Sequence, residues 1–180
     1  MSPDTATVFT RTIASPVGPL FLAASDGGLH AVEFAEHRHP VPRGDDWRDG
    51  AHPVLDATAE QLADYFAGKR QTFDLPFAAR GTPFQKQVWD ALTRIPYGKT
   101  ASYVELARMV GKPNASRAVG AANGRNPLSI VVPCHRVIGA SGALTGFGGG
   151  LPTKEFLLTL EGAWPRADLF DMIKTGARAG

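Results

Sequence analysis

The chain has 180 residues, 43% hydrophobic and 20% charged, as expected of a globular protein with enough chain to bury a core in one or two small domains. No apolar run approaches the length of a membrane span, and the N-terminus lacks a basic stretch followed by an apolar one, so a cytoplasmic location is expected (nuclear in a eukaryote). The single cysteine, Cys134, excludes an internal disulfide and a multi-cysteine zinc site, and the net charge of +2 hides an asymmetry: residues 1–79 carry 6 Lys/Arg against 11 Asp/Glu, whereas residues 80–154 carry 10 against 2. A basic middle segment of this kind suits contact with nucleic acid, although a solvated basic face would look the same.

Taken in chain order, residues 7–13 partly alternate as a strand and Ser15-Pro16-Val17-Gly18 is a turn. Residues 20–24 and 29–34 read as two further strands joined through the hairpin signal Asp26-Gly27-Gly28. Residues 36–50 are rich in His, Pro, Arg and Asp without periodicity and are expected to form an exposed loop. His37 and His39 within it have no further ligands nearby to build a metal site. Residues 53–68 form an amphipathic helix, with Leu55, Ala59, Leu62 and Phe66 at helical spacing and Gly68 as its stop. Residues 73–77 are a short extended piece, and the domain boundary is expected just after it, dividing a unit 1–79 from a unit 80–165 and a tail 166–180.

The second unit opens with Thr82-Pro83, a cap followed by proline at the first helical position, and its helix runs through Val88, Trp89, Leu92 and Ile95. Ser102-Tyr103-Val104-Glu105 has the form of a capping box and starts a second helix that reaches Val110. Gly111-Lys112-Pro113-Asn114 is a tight turn, and a third helix covers 115–122. Helix, short turn, helix is the helix-turn-helix pattern, though any helical hairpin shares it. The last helix is built of very small residues, so its backbone can lie close against a partner, and its one long side chain, Arg117, is expected to project outward.

Ile130-Val131-Val132 reads as a buried strand leading to Pro133-Cys134-His135-Arg136-Val137. A cysteine in such a place is usually a small buried hydrophobe. Here a histidine and an arginine follow at once, and an imidazole can accept the thiol proton to give the reactive thiolate. Glu161, at the end of a helix spanning 153–161, could orient that imidazole, but spacing alone does not select it.

Pro133-Cys134-His135-Arg136-Val137, preceded by Asn126-Pro127 and by Ser116-Arg117-Ala118-Val119-Gly120, resembles the O6-alkylguanine-DNA alkyltransferase family. The similarity continues through Gly142, Gly149-Gly150-Leu151, Lys154-Glu155 and Leu157-Leu158 to Glu161-Gly162. The resemblance implies a small α/β N-terminal domain, ribonuclease-H-like with a mostly antiparallel sheet, and a mainly α C-terminal domain of winged-helix or helix-turn-helix type. It implies irreversible, single-turnover transfer of an alkyl group from O6 of guanine, and also from O4 of thymine, to Cys134, without a cofactor and without a metal. The partner is double-stranded DNA, met through the minor groove by a monomer, with cooperative binding left open.

Carried over by the resemblance, Cys134 is the acceptor, His135 the base acting through a bound water, Glu161 its orienting group, and Asn126 the organiser of the loop. Tyr103 assists rotation of the nucleotide and donates a proton to the departing base. Arg117 enters the duplex in place of the flipped base, beside the DNA-contacting Ala115, Ser116, Ala118, Gly120 and Arg125. Pro133, Val137, Phe147, Gly148 and Gly149 line the base pocket. Relatives commonly carry tyrosine at the position of Phe147 and Ser or Ala at that of Gly148, so a roomier pocket that accepts groups larger than methyl is expected. Three other readings compete: a binding module for alkylated guanine, a helix-turn-helix regulator with an incidental thiol, and a cysteine hydrolase. Cys134 argues against the first, the scarcity of base-reading side chains on the last helix against the second, and the lack of any sign of an oxyanion site or cleft against the third.

Overall fold

Alternating apolar and polar residues near the N-terminus are satisfied by a sheet, because successive strand residues face opposite sides. In the computed structural model, which describes residues 7–144, 147 and 149–164, β1 (Val8–Ile13), β2 (Leu20–Ser25) and β3 (Gly28–Phe34) form an antiparallel meander. A two-residue turn joins β2 to β3, with Gly28 at φ 129°, in reach of glycine because it lacks a Cβ. The sheet order is β3-β2-β1-β4.

The last of these strands corrects the sequence reading. Within residues 36–50, expected to be loop throughout, Trp47–Asp49 is a strand, β4, parallel to β1. Three residues are too few to display a period of two. The strand is held by tertiary contacts: Trp47 stacks on Phe21 with ring centroids 6.4 Å apart, and Thr10 Oγ1 donates to Asp49 at 2.7 Å. The rest of the segment is tied down by buried Glu33 of β3, which accepts from the Val41 amide and, at 3.0 Å, from Arg43.

Helix α1 (Pro53–Phe66) starts where His52 Nδ1 accepts from the Val54 amide, and it buries Leu55, Leu62 and Tyr65 against the sheet. Beyond it, β3 would be an open edge, with amides and carbonyls unpaired. Two segments cover that edge. Leu29 and residues 76–78 exchange backbone hydrogen bonds of 2.8 Å, and Val32 bonds to Pro127 and Ser129 of the second unit at 2.9 and 3.2 Å. One apolar core therefore runs from Leu20, Leu29 and Leu62 through to Val88, Leu92, Val119 and Leu128.

The second unit is mainly helical. Capping boxes start both α2 (Pro83–Leu92, Thr82 with Gln85) and α3 (Tyr103–Met109, Ser102 with Glu105), so two amides that a helix end leaves open are satisfied at each. Helix α4 (Ser116–Gly124) packs across both. A parallel pair, β5 (Ala101–Ser102) with β6 (Val137–Ile138), and α5 (Leu151–Leu160) complete the unit.

Residues 130–132, expected as a strand, are instead a compact turn. Val131, Val132 and Cys134 donate to Ser129, Leu128 and Val132, each at 2.8 Å, and Ile130 sits at φ 72°. A β-branched residue there costs on the order of 1–3 kcal/mol. The apolar run signals burial correctly, but its backbone partners are local, which hydropathy does not distinguish from a ladder. Gly146, Gly148 and the tail 166–180 lie outside the described residues.

Candidate active site

The turn after Asn126 delivers Cys134 to the first position of a 3-10 turn (Cys134–Arg136), and the thiol is 5% exposed. Asn126 builds this turn: its Nδ2 donates to Val132 O at 2.8 Å while its Oδ1 accepts from the Leu128 amide at 3.0 Å. A side chain that bonds both arms of a loop fixes the loop without help from a sheet.

His135 is fully buried, and its Nε2 lies 2.8 Å from Glu161 Oε2. An ionised carboxylate only accepts, so Nε2 carries the proton and Nδ1 of the neutral ring keeps the lone pair. Nδ1 is buried and has no partner among the described residues. The imidazole is thus held as a base with its basic nitrogen unoccupied, on the residue next to the thiol.

Glu161 caps α5 and gathers four donors. Besides His135, Oε2 accepts from Tyr65 Oη at 2.7 Å and from Arg136 Nη2 at 3.1 Å, and Oε1 accepts from Arg136 Nε at 2.8 Å. Burial alone would push this carboxyl up, but its bonds to His135 and the Arg136 guanidinium outweigh that and hold it at about 2. Burial lowers His135 despite Glu161, keeping the ring neutral at rest, and Tyr65 is raised well above the ordinary tyrosine range, so it remains a donor. Burial raises the Cys134 thiol, opposed by a hydrogen bond from Asn126 and by the positive charge of Lys154. Lys154, wholly buried in α5, donates to Val137 O at 2.5 Å and is brought down to about 8 by burial.

In front of Cys134 is a recess lined by His37, Asn123, Gly124, Asn126, Ser129 and Phe147, with free space of about 10 Å³, roughly one water. Its outer wall is aromatic: Phe147 meets Phe34 edge-on at 5.5 Å, and Phe34 stacks on His37 at 5.9 Å. A Cβ on Gly149 would collide with the Phe34 ring, so glycine there lets the loop lie against that wall. Of the other expected pocket residues, Pro133 faces a separate cleft of about 530 Å³ behind the site, and Val137 lies in β6 beneath α5. The larger cleft does not reach Cys134.

The helical face beside the recess has the expected side chains. Arg117, Ala118 and Arg125 are exposed on or just after α4, with Ala115, Ser116 and Gly120 half-buried. A Cβ on Gly120 would meet the Tyr103 ring at 3.4 Å, so the small residue brings the start of α3 against α4. Several contributors had no site role in the sequence expectations, among them Tyr65, His37, Lys154 and Asn123. Tyr65 and His37 come from the N-terminal unit, and neither has a local signature, since helical spacing reads Tyr65 as core and composition reads His37 as loop. Lys154 and Asn123 lie on helices where a polar residue at a core position was the available signal.

Among the described residues no three His, Cys, Asp or Glu side chains could share a metal ion, and no helix is long and apolar enough to cross a membrane. Comparison with known families matches residues 8–79 to the ribonuclease-like domain of 6-O-methylguanine DNA methyltransferase and residues 83–163 to its DNA-binding domain. A methylated-DNA–protein-cysteine methyltransferase of Methanosarcina acetivorans is 51% identical over 149 residues, covering 83% of this chain and 95% of that one. Its counterpart in Mycobacterium tuberculosis strain H37Rv is 49% identical over 159 residues, 88% and 95% of the two chains. The crystal structure of Mycobacterium tuberculosis OGT in complex with DNA superposes with a TM-score of 0.79 at 49% identity, over 85% of this chain and 92% of that one. With both domains matched and half of the residues shared, the chain belongs to the 6-O-methylguanine DNA methyltransferase family.

Proposed function

We propose that this protein repairs DNA by moving an alkyl group from O6 of guanine to Cys134, once per molecule. The observation that carries the reading is the buried relay beside the thiol, in which Glu161 fixes His135 Nε2–H and leaves Nδ1 as a base. In the reaction the thiol proton passes through a bridging water to His135 Nδ1, and Glu161 stays ionised beneath the imidazolium. The sulfur attacks the alkyl carbon, the carbon–O6 bond breaks with its electron pair on oxygen, and the base takes a proton from the Tyr103 hydroxyl. Because a thioether has no good leaving group, the product is final.

A guanine stacked in duplex DNA cannot bring its O6 substituent to a thiol that is almost wholly buried, so the base is rotated out at a cost of about a few kcal/mol. Arg117, exposed on a helix whose other residues not buried in the core are Ala, Ser and Gly, fills the gap and offsets part of that cost. The basic charge of 80–154 grips phosphates without reading sequence, as scattered lesions require. The division of labour follows the chain: residues up to 79 give Tyr65 to the relay and His37 and Phe34 to the outer wall of the recess, and 80–165 carry the acceptor and the DNA face. O4-alkylthymine enters the same recess, and the protein works as a monomer.

The test is a duplex whose single O6-methylguanine carries a labelled methyl group. Label in the protein should plateau at one equivalent. Label that stays in the DNA while binding is retained would replace the reaction by recognition alone, and label released to solvent in repeated turnovers would exclude a thioether.

A further inference from the structure

Resting on that reading, we propose that His37, from the N-terminal unit, is a gate over the acceptor thiol. Its ring closes the recess while Nδ1 accepts from the Phe34 amide, and on gaining a proton it swings into the cavity on its other side and admits the flipped base. His37 is half-buried and, among the described residues, is the one that lines both the recess of about 10 Å³ in front of Cys134 and a second cavity of about 250 Å³. The recess has room for about one water, so a purine enters only if part of the lining moves.

Most of that lining is anchored. Asn126 bonds both arms of its turn, Ser129 and Cys134 lie within the backbone bonds of the same turn, and Asn123 and Gly124 belong to α4. The His37 ring is held more lightly, by its stack on Phe34 at 5.9 Å and by the hydrogen bond from the Phe34 amide at 3.3 Å. An amide N–H only donates, so Nδ1 carries the lone pair and the neutral ring has its hydrogen on Nε2. A second proton must go to Nδ1, where it faces the amide hydrogen, and the bond that holds the ring in the wall becomes a repulsion.

The second cavity suits an imidazolium. It is lined by the buried carboxylate of Glu33, which already accepts from Arg43, and each carboxylate oxygen has room for a further donor. The titratable and charged groups facing His37 are Glu33 of β3, His39 of its own loop, Arg43 across the second cavity and the Cys134 thiol across the recess. Burial is the largest influence on the ring and lowers its proton affinity, Glu33 raises it and His39 lowers it, which leaves His37 below its ordinary 6.5 and neutral at rest. The gate is therefore shut at neutral pH, where opening requires breaking the bond to Phe34 and is rarer. An acceptor that works once is lost to any stray electrophile that reaches it, and a closed wall prevents that.

Cys134 is the single cysteine of the chain, so the rate at which methyl methanethiosulfonate modifies the protein, followed by intact mass, reads the recess alone. The experiment compares the native protein with His37→Gln, whose amide oxygen can hold the Phe34 amide at any pH, and with His37→Ala, which removes the ring. The reactivity of the thiolate is common to all three and cancels in their ratios. At pH 8, His37→Ala should react about 2–10-fold faster than the other two. As the pH falls to 5, the native protein should draw ahead of His37→Gln by about the same factor and approach His37→Ala. Transfer from a duplex containing O6-methylguanine should follow the same order. A native-to-glutamine ratio that is constant with pH, or His37→Ala no faster than native at pH 8, would overturn the gate. So would a native rate that rises above that of His37→Ala at low pH, because the imidazolium charge rather than an opening would then explain it. Absence of methyl transfer by all three, with the thiol rates as expected, would instead overturn the repair reading and leave the gate standing.

Discussion

Replacing Glu161 by glutamine removes one negative charge and almost no volume from the centre of the site. In the native protein this carboxylate accepts from Tyr65, from His135 and twice from Arg136, all of them buried. A glutamine amide has one oxygen and one NH2, so at least one native donor then faces another donor. The Arg136 guanidinium, which also donates to Ile95 O at 2.6 Å, remains buried without a counter-charge. Breaking a buried ion pair by removing one partner costs about 3–5 kcal/mol. For a chain of this size each kcal/mol lowers Tm by about 2–4 °C, so thermal melting should fall by about 6–20 °C. The chemistry suffers separately. Without a carboxylate to hold Nε2–H, the imidazole loses its fixed tautomer, and loss of a positioned general base slows a reaction by about 10²–10⁴-fold. Tyr65→Phe is the matched control, since it deletes one hydrogen bond to the same carboxylate and leaves both charges: about 1.5–3 kcal/mol of stability, with His135 still oriented. Melting by circular dichroism and single-turnover transfer at a temperature where both variants are folded read the two effects independently. If Glu161→Gln melts within 2 °C of the native protein, or transfers at more than about a third of its rate, the carboxylate is not the hub described here.

Other perturbations have equally definite signs. Arg117→Ala should slow transfer from duplex DNA by about 10–100-fold, because flipping loses its space-filling side chain, yet leave Tm unchanged and transfer from free O6-benzylguanine within about twofold. Equal losses on free base and duplex would place Arg117 in the chemistry rather than in flipping. The pH dependence of stability follows from the direction of each shift. Lys154 stands at about 8 in the fold against its ordinary 10.5, so the unfolded chain binds more protons in that window and stability rises with pH across it. In Lys154→Met that alkaline rise should vanish, and transfer should slow more at pH 7, where the native lysine charge assists the thiolate, than at pH 9. On the acid side, His135 is kept neutral below 6.5 and Glu161 ionised down to about 2. Stability should therefore decline below pH 6.5 as the unfolded histidine gains its proton, and again from about 4.5 to 2 as Glu161 is protonated. A melting temperature that is flat from pH 7 to 4 would contradict the His135 assignment, and one that is flat from pH 4.5 to 2 would contradict that of Glu161. Phe147→Tyr should reduce the ratio of benzyl to methyl transfer if the aromatic wall sets pocket size, and an unchanged ratio would remove Phe147 from that role.

The features legible in the sequence are those written in neighbouring residues. Thr82-Pro83 and Ser102 with Glu105 announce helix starts because a cap and its amide lie within one turn, and both boxes close as expected. Asp26-Gly27 marks a hairpin for the same reason. Where the deciding contact is distant, the sequence is silent. Trp47 gives no sign that Phe21 will draw residues 47–49 into the sheet, and Ile130-Val131-Val132 looks like a strand because hydropathy reports burial, not hydrogen-bond partners. The site divides along the same line. Cys134 and His135 are adjacent, so their pairing is visible at once. Glu161 is 26 residues from His135 and Tyr65 another 96 away in the chain. Resemblance to a family supplies the first of these, and only the packing of α1 against the second unit discloses the other. Asn123 and His37 differ again, for nothing in their local sequence says that they converge on the same recess.

Most directly at issue is where the alkyl group ends. After reaction with a methyl-bearing duplex, proteolysis and mass spectrometry of the peptide containing Pro133-Cys134-His135-Arg136 should locate one methyl group on the sulfur of Cys134, with Cys134→Ala binding the same duplex and acquiring none. A methyl group on His135, on any other residue, or on the Cys134→Ala protein would contradict the account.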